Sequence, residues 1–165
     1  MPTVYFICYG NICRSPFAER YADLRAAELG CGELVFDGAG IGATNGTRCP
    51  KPALVAAREL DVDLSRHRAK HVSEISPARN DIVIAMDRYV FGALADSLGS
   101  PLDQVRGPGG SRLELMTQSL AASGPEGGVG LDVPDPMGSG VAAYRDTYRL
   151  LAQAVEGLLR RIRGA

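Results

Sequence analysis

Cys8 and Arg14 stand near the N-terminus with five residues between them, in Cys8-Tyr9-Gly10-Asn11-Ile12-Cys13-Arg14-Ser15-Pro16. A cysteine is a nucleophile when it is a thiolate, and nearby positive charge favours that form. An arginine offers a planar fork that matches two oxygens of a phosphate. Taken singly, each residue has an ordinary reading. A cysteine closing an apolar run is commonly a small hydrophobe, and an arginine in a helix first turn opposes the dipole and is commonly solvated. Together, with Gly10 and Asn11 between them, they point to phosphate chemistry. Gly and Asn accept left-handed backbone angles, which turn successive N–H groups inward toward an anion.

The elements around this stretch must build the cradle. Val4-Tyr5-Phe6-Ile7 is an apolar run that reads as a buried strand. Phe17 to Leu29 reads as a helix, with Ser15 expected as its N-cap and Pro16 as its first residue. A strand therefore empties into a short loop, and the loop into a helix N-terminus. Unpaired N–H groups and the positive end of the dipole converge there.

A phosphoryl group held in that loop presents phosphorus to the Cys8 sulfur. Attack gives a phosphocysteine, which splits hydrolysis into two steps. Arg14 and the loop N–H groups stabilise the charge on the oxygens. The leaving oxygen needs a proton and the second step needs an activated water, tasks that one carboxyl group performs in turn. Asp135 is the candidate: Pro134 and Pro136 restrain its backbone on both sides. An Asp-Pro pair alone commonly opens a turn, but alongside the Cys8–Arg14 loop the catalytic reading is preferred. Asp132 is the nearby competitor.

Further along the chain, Leu34-Val35-Phe36 reads as a second strand and Pro52 to Leu60 as a helix. Ser73 to Ser76 reads as a helical turn. Asp81 to Met86 reads as a buried strand, and Asp87 caps a helix to about Ser97. A Pro/Gly-rich link leads to a strand at Arg112–Met116, and Ala121 to Gly130 reads as a Gly-rich surface loop. After Met137-Gly138 a long amphipathic helix carries Val141, Tyr144, Tyr148, Leu151, Val155, Leu158 and Ile162 on its inner face. Strands alternating with helices indicate an α/β fold, a parallel sheet covered on both faces. Ligands in such sheets bind beyond the carboxyl ends of the strands, where the Cys8 loop lies. No repeat or boundary divides the 165 residues, so one domain spanning 1–165 is expected.

Composition narrows the function classes. Apolar residues make up 45% and charged residues 22%, the balance of an ordinary globular protein. A formal net charge of -1 with no basic block argues against nucleic acid as partner. No stretch is long and apolar enough for a membrane span, and no signal-peptide pattern is seen, so a cytoplasmic location is expected. Four cysteines without paired spacing read as free thiols in a reducing compartment. Neither Cys-x-x-Cys nor a Cys/His cluster is present, so no metal and no cofactor are expected.

Cys8 to Pro16 resembles the signature loop of the low-molecular-weight protein tyrosine phosphatases. Val133-Pro134-Asp135-Pro136 resembles their general-acid loop, and Leu64-Ser65-Arg66-His67-Arg68-Ala69-Lys70 resembles that family's Ser/Thr-x-His-basic-Ala/Ser-basic stretch. Ile82 to Asp87 resembles its third strand and Arg112 to Leu115 its last. The resemblance implies a three-layer, flavodoxin-like or Rossmann-like fold with a four-stranded parallel sheet of order 2-1-3-4. It implies Cys8 as nucleophile, Arg14 as phosphate clamp and Asp135 as general acid and base, without metal. Tyr9, Gly10, Asn11, Ile12, Cys13 and Ser15 would form the substrate-binding loop, with the Ser15 hydroxyl easing departure of the Cys8 thiolate. His67 would support that loop through hydrogen bonds. The partner implied is a phosphotyrosine-containing protein acted on by a monomer, and Cys13 would be a reversible redox partner of Cys8.

Three departures from the family pattern stand out. Gly38-Ala39-Gly40 lacks a serine hydroxyl that usually braces the signature loop. Thr44-Asn45-Gly46-Thr47-Arg48 carries no aromatic, and Met137-Gly138 follow Asp-Pro where aromatics are frequent. The walls that sandwich a phosphotyrosine ring are therefore expected to be thin. Tyr9 stands where an aliphatic residue is usual; it either supplies an aromatic contact or faces the core. Three other functions remain in view. A protein arginine phosphatase shares Asp-Pro followed by an aliphatic and Gly, although Ile12 favours tyrosine. Arsenate reductase needs relay cysteines near residues 80–90, which are missing. A non-catalytic phosphoprotein-binding module needs neither a reactive thiol nor an acid.

Overall fold

The computed structural model of the protein describes residues 1–95, 106–120 and 132–164. Four parallel strands form its sheet: β1 (Thr3–Cys8), β2 (Val35–Gly40), β3 (Ile82–Ala85) and β4 (Arg112–Leu115), in the order β2-β1-β3-β4. This is the sheet order expected. Four α-helices accompany it among the described residues: α1 (Arg14–Ala26), α2 (Lys51–Arg58), α3 (Arg88–Leu94) and α4 (Val141–Arg163).

The period-2 alternation of β1 divides the apolar residues between two layers. Val4, Phe6 and Cys8 face a core shared with Phe17 and Tyr21 of α1, Ala53 and Ala57 of α2, and Tyr148, Leu151 and Leu158 of α4. Ile7 faces the other way, joining Val83, Ala85, Leu113 and Leu115 with Val90, Phe91 and Leu94 of α3. Central β1 is thus covered on both faces, which explains why it reads as a continuous apolar run.

Several local expectations differ from the structure. Helix α1 begins at Arg14, two residues before Pro16, and its N-cap position is Cys13, without a side-chain cap. Ser15 is inside the first turn, because its hydroxyl is engaged by Cys8 and Asn11 instead. The helix ends at Ala26, and Gly30 (φ 73) closes the following turn in the left-handed region. Leu24, apolar and at helical spacing from Phe17 and Tyr21, is exposed. Helix α3 is capped by Asp87 as expected, and its Oδ1 accepts from the Val90 amide at 2.8 Å, but the helix stops at Leu94. The link that follows Ser97 and the loop at 121–130 lie wholly or mostly outside the described residues.

The carboxyl edge of the sheet gathers the loops that matter. Backbone bonds extend the strand pairing past their ends: Ile41 N to Cys8 O (3.1 Å), Gly42 N to Tyr9 O (2.9 Å) and Met86 N to Ile7 O (3.0 Å). Val133 N then bonds to Met86 O at 2.8 Å, which draws the Pro134-Asp135-Pro136 segment to the same edge. Helix α4 is tied to the Cys8 loop through aromatics. The Tyr148 ring stacks on Phe17 with centroids 4.1 Å apart and planes 7° apart. The Tyr148 hydroxyl donates to the Cys13 carbonyl at 2.9 Å in a fully buried setting.

Replacing Tyr148 by Phe keeps the stack and removes the buried hydrogen bond to that carbonyl. Such a bond contributes about 0.5–1.5 kcal/mol. Urea unfolding of Tyr148→Phe is expected to show a loss of this size, with the denaturant slope unchanged.

Candidate active site

The loop between β1 and α1 is folded around Asn11. Of the two residues expected to adopt left-handed angles, only Asn11 does (φ 52); Gly10 lines the adjoining pocket without a positive φ. A single left-handed residue is sufficient to reverse the chain, and Asn tolerates the conformation better than most side chains. That turn points the Asn11 amide at the Cys8 sulfur, 3.1 Å away. The Asn11 side chain is fully buried and satisfied at both ends: Nδ2 donates to Ser15 Oγ (2.8 Å), and Oδ1 accepts from the Lys70 amide (2.8 Å). Ser15 Oγ, which accepts from Asn11, also lies 3.0 Å from Cys8 Sγ, and either of the two can donate to the other. Cys8 therefore accepts from the Asn11 amide and, when it is a thiolate, can accept from the Ser15 hydroxyl as well.

His67, expected to support the loop through hydrogen bonds, lies against it. Its Nε2 lies 2.7 Å from the Asn11 carbonyl, so the ring carries its proton on Nε2 and donates. Burial pushes the His67 pKa down, which keeps the imidazole neutral.

Arg14 is almost fully buried, with its fork anchored on both edges. Nη1 donates to Asp87 Oδ2 (2.7 Å) and to the Val133 carbonyl (3.0 Å); Nη2 reaches Asp135 Oδ2 at 3.4 Å. Asp87, read from sequence only as a helix cap, thus performs two tasks with its two oxygens. Asp135 is half-exposed over the loop, and its Oδ1 accepts from the Met137 amide at 3.1 Å. Asp132, the competitor, turns away. Its carboxylate accepts from the Arg88 amide (2.7 Å) and guanidinium (3.0 Å), which hold its pKa below the usual range.

Cys8, Arg14 and Asp135 border one pocket of about 280 Å³, together with Tyr9, Ile12 and Met137. Tyr9 is half-exposed at the rim, so of its two readings the core-facing one is excluded. Cys13 lies deeper. Its thiol is 3.3 Å from the Tyr144 hydroxyl and 3.8 Å from the Met137 sulfur, and burial pushes its pKa up to about 11. All four cysteines are free. Among the described residues no group of His, Cys, Asp and Glu side chains could hold a metal ion. None of the described helices is long and apolar enough to cross a membrane.

The missing brace at Gly38 has a specific setting. A Cβ placed there would lie 3.3 Å from Asn11 Nδ2 and 2.9 Å from the Glu19 carboxylate. Glu19 is buried against this spot, a position that its charge alone does not suggest in the sequence. Desolvation pushes its pKa from 4.5 up to about 7, with Arg20 at 3.7 Å opposing only in part.

The fold and this site together define a class: an α/β protein with a cysteine and an arginine at a helix N-terminus, beside a proline-flanked carboxylate. The family model for low molecular weight phosphotyrosine protein phosphatase matches residues 3–165, and the chain belongs to that family of enzymes. A low molecular weight protein-tyrosine-phosphatase of Streptomyces coelicolor is 32% identical over 164 residues, covering 97% of this chain and 93% of the relative. A probable low molecular weight protein-tyrosine-phosphatase EpsP of Ralstonia nicotianae is 26% identical, covering 98% and 96%. Among solved structures, a protein tyrosine phosphatase from Entamoeba histolytica superposes with a TM-score of 0.79 at 20% identity, covering 99% and 98%. The YwlE arginine phosphatase from Geobacillus stearothermophilus gives 0.74 at 21% identity, covering 99% and 94%. These two likenesses establish the shared fold.

Glu19 yields a pH-dependent prediction. Its pKa is higher in the folded chain than in the unfolded one, so the folded state holds the proton more tightly between about pH 4.5 and 7. Stability present below that window is lost as the pH rises through it. Glu19→Gln is expected to gain up to about 3 kcal/mol over the parent at about pH 8, and little at about pH 4. Denaturant unfolding of both proteins at the two pH values checks this.

Proposed function

We propose that this protein hydrolyses phosphotyrosine in proteins through a phosphocysteine on Cys8. The observation that carries this reading is the placement of Cys8 Sγ against the Asn11 amide and the Ser15 hydroxyl, in one pocket with the Arg14 fork and Asp135. The phosphoryl oxygens lie among the loop N–H groups and Arg14, which stabilise the charge of the transferring group. Cys8 attacks phosphorus while Asp135, in its acid form, protonates the leaving phenolic oxygen. Asp135, now a carboxylate, takes a proton from the water that attacks the phosphocysteine. The Ser15 hydroxyl then donates to the departing Cys8 thiolate. Gly10, Ile12 and Cys13 shape the anion loop, with His67 and Asn11 holding it in place.

The phosphoarginine reading rests on Met137-Gly138 after Asp-Pro. A guanidinium leaving group calls for carboxylates along its length. Asp135 is the sole carboxylate among the described residues lining this pocket, and it already leans on Arg14. Ile12, partly buried against the core, offers no polar partner. Both features favour the tyrosine ring. In this reading the enzyme is monomeric and cytoplasmic, and when peroxide supplies the two-electron oxidation Cys13 is the thiol that closes a disulfide on Cys8.

Hydrolysis of para-nitrophenyl phosphate in the presence of a metal chelator tests the roles. The parent is expected to turn over, Cys8→Ser to lose all turnover, and Asp135→Ala to slow by about 10²–10⁴-fold on phosphotyrosine peptide but less on this better leaving group. Full activity in Cys8→Ser would overturn the mechanism. Turnover of phosphoarginine peptide with none on phosphotyrosine peptide would overturn the substrate class.

A further inference from the structure

Tyr9 is half-exposed directly beside the nucleophile, an unusual place for a large ring. It is the one aromatic residue among the described residues that line the pocket. Its position is shaped by the neighbouring loop. A Cβ placed on Gly42 would lie 2.6 Å from Tyr9 Cζ, 2.8 Å from Cε1 and 2.9 Å from the hydroxyl oxygen. No side chain fits between them, so the ring lies flush on the Gly42 backbone. The two residues are also joined by the Gly42 amide, which donates to the Tyr9 carbonyl at 2.9 Å. Gly42 is not in the left-handed region, so it is this close approach rather than backbone conformation that calls for glycine.

Outside, the Tyr89 ring at the start of α3 stands 6.4 Å from the Tyr9 ring at 44° and is itself highly exposed. Met137, also exposed, lines the same pocket, with its sulfur 3.8 Å from both the Cys13 thiol and the Tyr144 hydroxyl. The pocket thus carries one aromatic ring, Tyr9, and one polarizable thioether, Met137. Thr44 and Thr47 line it too, with no ring of their own. A thioether meets an aromatic ring favourably, and two aromatic rings favour offset or edge contact.

We propose that Tyr9 is the specificity-determining wall of this site: seated on Gly42, its ring lies against the phenol ring of the phosphorylated residue in the pocket that Met137 also lines. The inference rests on the phosphotyrosine reading and adds to it the residue that recognises the ring. It also explains how the site manages with no aromatic in Thr44–Arg48: the ring rises from the signature loop itself, and glycine at 42 makes room for it.

The test compares inhibition of para-nitrophenyl phosphate hydrolysis by benzylphosphonate and by inorganic phosphate. The first carries a ring and the second does not. In Tyr9→Leu, benzylphosphonate inhibition is expected to weaken by about 3–10-fold, the scale of one aromatic contact, while phosphate inhibition stays unchanged. Gly42→Ala pushes the ring off its seat and is expected to weaken benzylphosphonate alone. In the Tyr9→Leu/Gly42→Ala double variant the alanine should add nothing further. Unchanged benzylphosphonate inhibition in Tyr9→Leu overturns the inference. Equal weakening of both inhibitors also overturns it, because Tyr9 would then act on the anion loop and not on the ring. Peptide turnover decides the phosphotyrosine reading separately, since neither inhibitor reports which phosphorylated peptide the parent accepts.

Discussion

Asn11 sits in the left-handed region with no exposed surface, and four hydrogen bonds converge on it. Its amide meets the Cys8 sulfur, its side chain holds Ser15 and the Lys70 amide, and its carbonyl receives His67. A buried amide side chain with an unmet group is costly, so these bonds specify one loop conformation rather than several. The rest of the site depends on that conformation. Cys8 has its donors only because the chain reverses at Asn11, and Arg14 enters the pocket only because the helix starts immediately after the reversal.

Arg14 and Asp135 are coupled to this loop through the sheet. Val133 extends the backbone pairing beyond Met86 at the end of β3, and the Val133 carbonyl then accepts from Arg14. Asp87, next along from Met86, anchors the same guanidinium and caps α3. The proline-flanked segment bearing Asp135 is therefore positioned by the edge of the sheet, not by its own stiffness alone. A rigid support of this kind is what transition-state stabilisation by fixed donors requires. On the opposite side, Tyr148 stacks on Phe17 and bonds to Cys13, so α4 closes the loop from beneath.

What could be read from the sequence was local. The strand-loop-helix pattern, the spacing of Cys8 and Arg14 and the prolines around Asp135 are short-range features, and alternation of strands and helices is enough to indicate a parallel sheet. Features set by distant partners were not legible. Ser15 looked like a cap because serine commonly is one, but a buried sulfur and an amide compete for its hydroxyl. Gly10 looked as suited as Asn11 to the left-handed turn; only the burial of the Asn11 side chain distinguishes them. Asp87 as a partner of Arg14 arises from the pairing of β1 with β3, and Glu19 buried beneath Gly38 from the packing of α1 on β2; spacing along the chain reveals neither. Tyr9 had two readings until the structure placed it at the rim.

The central claim is that Cys8 carries the phosphoryl group. It is tested most directly by quenching Asp135→Ala during turnover of para-nitrophenyl phosphate and locating the phosphate by peptide mass spectrometry. With its leaving group easy to expel and its water no longer activated, this variant is predicted to accumulate phosphocysteine at Cys8 alone. Phosphate found on another residue, or continued turnover with Cys8 never modified, would contradict the account.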